Sequence, residues 1–150
     1  MLCRDIINVI ERTYPKAAAL EWDNVGLLIG RIEKDVKKIY VALDATDEVI
    51  ADAIVKGADM LVTHHPLVFD PMKQITDEHF IGGRVVKLLQ HDISYYAMHT
   101  NYDVLGMADL SSAILGLQDA EVLEITDMDR GEGIGKVGCL SEKITLKTCC

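Results

Sequence analysis

Cysteine and aromatic side chains are scarce in this chain. Its 150 residues include four cysteines, three prolines, two phenylalanines and one tryptophan, and aromatics make up 5% of the total. Cys3, Cys139, Cys149 and Cys150 stand near the two ends without C-x-x-C spacing. That pattern argues against a disulfide framework and a zinc knuckle, and Cys3 and Cys139 read as reduced, small core residues. Positive charge is also short. Fifteen Lys and Arg face 24 Asp and Glu, for a formal net charge of -9 and a pI near 4.9. The chain as a whole repels a phosphate backbone, which disfavours non-specific nucleic-acid binding but leaves room for an anionic small molecule at a local cation. Long apolar runs are missing as well. The opening MLCRDIINVIERTYP carries charges every few residues, with no stretch suited to a signal h-region or a membrane span, so a cytoplasmic protein is expected.

Apolar residues themselves are plentiful. At 49% hydrophobic, 150 residues can bury one core, which predicts a single α/β domain over 1–150 with no interdomain linker. Leu2, Ile6, Ile7 and Ile10 recur at helical spacing and Pro15 ends the pattern, predicting a helix over about 3–13. Leu27-Leu28-Ile29, closed by Gly30, reads as a short strand. Lys38 to Asp44 is a β-branched, nearly continuous apolar run. Thr46-Asp47-Glu48 then supplies a helix cap and acidic first-turn residues, and the helix ends at Gly57. Met60 to Thr63 resumes as a buried strand. A helix over about 77–91, a strand from Ile93 to Met98 and a helix around Leu110 to Leu115 repeat the alternation. Such strand–helix–strand units predict a mostly parallel sheet with helices on both faces.

Polar chemistry collects where two of those buried strands end. Met60–Thr63 runs into His64-His65-Pro66, and Ile93–Met98 runs into His99-Thr100-Asn101-Tyr102-Asp103. The C-terminal edge of parallel strands is where open α/β sheets bind ligands, and the two loops lie together if the strands are neighbours. Adjacent histidines inside a strand would point to opposite faces, which favours two ions over one shared ion. Pro66 stiffens the loop and biases His65 toward an extended backbone. His64, His65 and Asp103 are the candidate metal ligands, and imidazole with carboxylate suits zinc, iron or manganese. His99 is the candidate catalytic residue, as a proton shuttle or an orienter of water; its plain alternative is a supporting residue at the core edge.

Three segments taken together, Glu21-Trp22-Asp23-Asn24-Val25-Gly26, Thr63-His64-His65-Pro66 and His99-Thr100-Asn101-Tyr102-Asp103, resemble the Nif-three-like family in order and spacing over about residues 1–140. Its members are also called dinuclear-metal-centre hexameric proteins or type-two GTP cyclohydrolase I homologues. The resemblance implies a Nif-three-like fold and two divalent ions, with His64 on one, His65 and Asp103 on the other, and His99 lining the pocket. It also implies a toroidal homohexamer with its metal sites facing an internal cavity. The family pattern closes with a His-x-x-x-Glu pair that is not found between Asp103 and Cys150. Gly133 to Gly138 resembles the glycine-rich segment before the later part of the family fold, so the chain is expected to be the N-terminal part of such a protein.

The functional expectation is a divalent-metal-binding protein, a metal-dependent hydrolase of a nucleotide or phosphorylated small molecule with GTP cyclohydrolase type-two-like character. The alternative is a non-catalytic metal-binding oligomeric or regulatory scaffold. The remaining features have plainer readings. Trp22 is expected to be a packing anchor rather than a base-stacking platform, because no basic or aromatic cluster accompanies it in sequence. Asp23 and Asn24 organise the turn before Gly26, with a pocket-edge role left open by the resemblance. Asp44 caps a helix or accepts a hydrogen bond, or else approaches the same rim. His79 and His91 read as surface residues. Gly82-Gly83 lacks the G-x-x-x-x-G-K-S/T pattern of a phosphate loop and relieves crowding at a helix start.

Overall fold

A computed structural model describes residues 1–149; the reading of Cys150 lies outside the described residues. In chain order the elements are α1 (Cys3–Thr13), a 3₁₀ turn (Lys16–Ala18), β1 (Gly26–Ile29), β2 (Ile39–Ala42), α2 (Asp47–Val55), β3 (Met60–Thr63), α3 (Phe80–Gln90) and β4 (Ser94–Ala97). There follow α4 (Thr100–Tyr102), a π-helical turn (Asp103–Met107), α5 (Ala108–Leu115), β5 (Gln118–Asp127), β6 (Glu132–Cys139) and α6 (Leu146–Cys149). No described helix is long and apolar enough to cross a membrane.

Four strands form one sheet in the order β1-β4-β3-β2. β2, β3 and β4 run parallel, with Ala42 opposite Thr63 and Thr63 opposite Ala97. β1 joins the other side of β4 antiparallel, Gly26 facing Ala97. The sheet is therefore mostly parallel, as the strand–helix alternation predicts.

Side-chain alternation sends the two faces to two cores. Leu61, Tyr95 and Ala97 pack with Ile50 of α2 and with Val85 and Leu88 of α3, whereas Met60, Val62 and Tyr96 pack with Cys3 and Ile7 of α1. Helices thus cover both faces. On the α1 side the cover ends at β3. Val41, level with Val62 on edge strand β2, is 73% exposed. β2 is therefore only half-buried, unlike β3 and β4.

Local signals act as the residue types dictate. Thr46 Oγ1 accepts the Val49 N–H at 3.2 Å and so caps α2. The helix predicted from about residue 77 starts at Phe80, because residues 76–79 fold across its first turn. A Cβ on Gly82 would meet the Thr76 carbonyl oxygen at 2.2 Å, so Gly82 does relieve crowding there.

A second sheet went unforeseen, and the reading of Cys139 fails. β5 and β6 form a separate two-stranded antiparallel sheet, so the glycine-rich Gly133–Gly138 segment is a strand. Cys139, expected in the core, is exposed at the end of β6, where Val137 and Gly138 are exposed too. Cys3 is fully buried as expected.

Candidate metal centre

Neighbouring parallel strands β3 and β4 end level with each other, and their registers carry the polar loops to one place. Met98 N–H donates to the Thr63 carbonyl at 3.0 Å, which extends the ladder past the strand ends. His64 then stands level with Met98, and His65 with His99. β2 ends level with them as well. The His64 and His65 N–H groups both reach the Leu43 carbonyl, at 3.2 and 3.1 Å, and two residues beyond the Ala42–Thr63 pair Asp44 faces His65. From the other side the antiparallel register of β1 and β4, continued beyond Gly26 and Ala97, sets Asp23 against Thr100.

His64 and His65 follow the strand rather than lying inside it, so strict alternation no longer separates them. Their rings are 4.8 Å apart, centroid to centroid, and the His99 ring is 5.1 Å from His64 and 5.7 Å from His65. The argument that two adjacent histidines must serve opposite faces therefore does not apply here. One ring nitrogen from each of the three lies within 4.8 Å of the others.

Each imidazole is tethered through Nδ1 to an oxygen that can only accept. His64 Nδ1 donates to the Met98 carbonyl at 3.1 Å, His65 Nδ1 to Asp44 Oδ1 at 2.6 Å, and His99 Nδ1 to Asp23 Oδ1 at 2.9 Å. Those bonds fix the tautomer and the ring plane and leave the Nε2 lone pairs to act, the arrangement found behind metal-ligating histidines. Asp103, opening the π-helical turn, brings Oδ1 to 3.5 Å from His64 Nε2. Burial pushes the His64 imidazole below its ordinary value, opposed by the Asp103 charge and reinforced by His65 and His99. A neutral ring at pH 7 is the ligating form.

The supports are themselves supported. The Asp23 carboxylate is fully buried, and besides His99 it accepts the Thr100 N–H at 3.0 Å, the Asn24 N–H at 2.8 Å and the Thr100 hydroxyl. Burial would raise its carboxyl, but these hydrogen bonds, the Thr100 hydroxyl and His99 foremost, bring it below the ordinary value. Asn101 Oδ1 accepts the His99 N–H at 3.0 Å while its Nδ2 donates to the Tyr14 carbonyl at 2.9 Å. Beneath the His65 turn, the buried Tyr95 hydroxyl accepts the Leu67 N–H at 2.8 Å and donates to the His65 carbonyl at 2.9 Å.

The structure brings together all four residues singled out from sequence, His64, His65, His99 and Asp103. Asp44 takes the hydrogen-bonding role expected of it and also lies at the rim. Asp23 holds both its turn and His99. Tyr95 was missed, being a tyrosine inside an apolar strand with nothing in its neighbours to mark the hydroxyl. His79 and His91 are exposed, as expected. Trp22 departs from expectation. It is 58% exposed and meets the Phe69 ring at 5.9 Å and the edge of His99 at 6.1 Å, because aromatic partners distant in sequence come to it through the fold.

Imidazoles held in this way, with a carboxylate beside them and no thiol among them within the described residues, fit a divalent first-row ion. Asp44→Asn is expected to weaken zinc or manganese binding about 10–100-fold with little change in fold, since it alters the acceptor that orients His65. Competition with a chromogenic chelator measures this.

A family model described as Duf34/NIF3 (NGG1p interacting factor 3) matches residues 1–150. A Clostridium perfringens protein named GTP cyclohydrolase 1 type 2 homolog is 38% identical over 148 residues, 97% of this chain and 56% of that protein. A Bacillus subtilis protein of the same name is 41% identical over 128 residues, covering 84% of this chain and 34% of its own length. The chain thus spans from about a third to just over half of these relatives. Among solved structures, a Bacillus cereus protein related to NIF3 superposes with a TM-score of 0.80 at 43% identity, over 85% of this chain and 35% of that one. Reduced HcgD from Methanocaldococcus jannaschii gives 0.77 at 37% identity, over 83% and 50%.

Proposed function

The chain belongs to the Duf34/NIF3 family, and on that premise we propose that it binds divalent metal through His64, His65 and Asp103 and hydrolyses a nucleotide or a phosphorylated small molecule. The observation that carries the reading is the set of three clustered imidazoles, each with Nδ1 committed to its own acceptor. Divided as the family pattern has them, with His64 on one ion and His65 and Asp103 on the other, these side chains would leave positions open on zinc, iron or manganese for water or substrate, as catalytic rather than structural sites do. Three ligands are too few for two ions, so each would need further donors, such as groups of another subunit. The relatives' name, GTP cyclohydrolase 1 type 2 homolog, favours a nucleotide-like substrate. A homohexamer with inward-facing centres, located in the cytoplasm, completes the reading.

Metal bound here supplies Lewis-acid polarisation of a substrate oxygen and a water acidic enough to attack at neutral pH. His99 moves the proton. Its Nδ1–H is held by Asp23, so Nε2 is the basic nitrogen, and the buried carboxylate stabilises the imidazolium that forms. Asp44 and Met98 keep the other two rings in place.

His99→Ala tests the assignment. The variant is expected to keep its metal and lose about 10²–10⁴-fold in turnover, read with a panel of nucleotides and phosphomonoesters. Loss of metal would make His99 a ligand instead. If the metal-loaded protein turns over nothing in the panel, and chelation dissociates its oligomer, the scaffold alternative replaces the hydrolase.

A further inference from the structure

We infer that Trp22 and Phe69 form a stacking platform for a planar heteroaromatic ring of the nucleobase class, presented edge-on to the histidine cluster. The inference deepens the nucleotide reading by naming the part of the ligand that this chain's own side chains grip. Two large apolar rings stand 58% and 48% exposed at the lip of a polar cluster, and covering them removes apolar area from water. The His99 ring lies 6.1 Å from the indole, so a base stacked on Trp22 sits within reach of that imidazole.

The platform is rigid before any ligand arrives. Asp23, next to Trp22, is locked by its hydrogen bonds to His99, Thr100 and Asn24, and Thr100 Oγ1 also accepts the Leu20 N–H at 2.9 Å. The Asn24 side chain donates to the Val68 carbonyl at 2.6 Å, tying the Trp22 loop to the Phe69 loop. Loops tied in this way lose little freedom on binding, which strengthens stacking on the rings they carry.

Charge points to the ring rather than to a phosphate as the group the protein holds. Asp23, Asp44 and Asp103 lie against the three histidines, and Arg84, beside His65 at the rim, is occupied by Asp47 at 2.9 Å. Without a metal ion a phosphate meets only carboxylates here, whereas an uncharged base meets an aromatic surface whether or not metal is bound.

Trp22 is the only tryptophan of the chain, so its fluorescence reports the site directly. Guanosine, GMP and ribose 5-phosphate are titrated into chelator-treated and zinc-loaded protein. Guanosine and GMP are expected to quench the indole in both forms, and ribose 5-phosphate in neither. By calorimetry, Trp22→Leu is expected to weaken GMP binding about tenfold, Phe69→Leu by about threefold, and Trp22→Phe by less than about threefold. Quenching in the chelator-treated form supports the platform even if no metal chemistry is found. Unchanged fluorescence with guanosine and GMP overturns it, as does equal GMP affinity in Trp22→Leu and the parent. A fall in native mass for Trp22→Leu with GMP binding unaltered also overturns it, in favour of an interface between copies.

Discussion

Protein carrying His64→Ala together with His65→Ala is expected to emerge from dialysis against zinc or manganese without bound ion, while the parent retains it. The two rings sit 4.8 Å apart beside Asp103 and make up two of the three proposed ligands. Losing a residue that merely orients a ligand costs about 10–100-fold in affinity, and losing two ligands exceeds that. The fold should survive, because His65 is exposed, His64 is only partly buried, and both lie beyond the end of β3. Circular dichroism beside elemental analysis separates the cases. Retention of stoichiometric metal by the double variant would remove the histidine pair from the centre.

The second large effect concerns stability. Tyr95→Phe is expected to destabilise the protein by about 1–3 kcal/mol, the usual cost of stranding buried polar groups. Without the hydroxyl, the Leu67 N–H has lost its acceptor and the His65 carbonyl one of its donors, in a place where Tyr95 is fully buried. Thr63 Oγ1, 2.7 Å from the hydroxyl, still donates to the His65 carbonyl at 2.8 Å, so the turn should loosen rather than collapse. Denaturant unfolding should show a lower midpoint with an unchanged slope, and metal affinity should fall along with it. Unaltered stability would mean that this hydrogen-bond set contributes nothing net.

Parts of this were legible from residues alone because they rest on local rules. The 3.6-residue recurrence of Leu2, Ile6, Ile7 and Ile10 marked α1, Thr46 marked the cap of α2, and Met60–Thr63 was recognisable from its unbroken apolar character. The histidine and aspartate clusters stood out because polar groups directly after buried strands have few structural reasons to be there.

What escaped the sequence depends on pairing between distant segments. The antiparallel placement of β1 beside β4 brings Asp23 to His99, 76 residues apart, and nothing near Asp23 announces that partner. Asp44 became a support of His65 only once β2 and β3 were in register. Phe69 and His99 reach Trp22 by the same long-range route, which is why an isolated tryptophan looked like a packing residue. β5 was missed because most of its side chains are exposed, and β6 because Gly133, Gly135 and Gly138 interrupt it, so no apolar inward-facing stripe distinguishes either strand.

X-ray absorption at the zinc edge of the metal-loaded protein probes the proposed centre most directly. Nitrogen or oxygen neighbours at about 2.0–2.2 Å with imidazole outer-shell scattering are predicted, lost in the His64→Ala, His65→Ala variant. A sulfur shell at about 2.3 Å, or a shell without imidazole scattering, would contradict it.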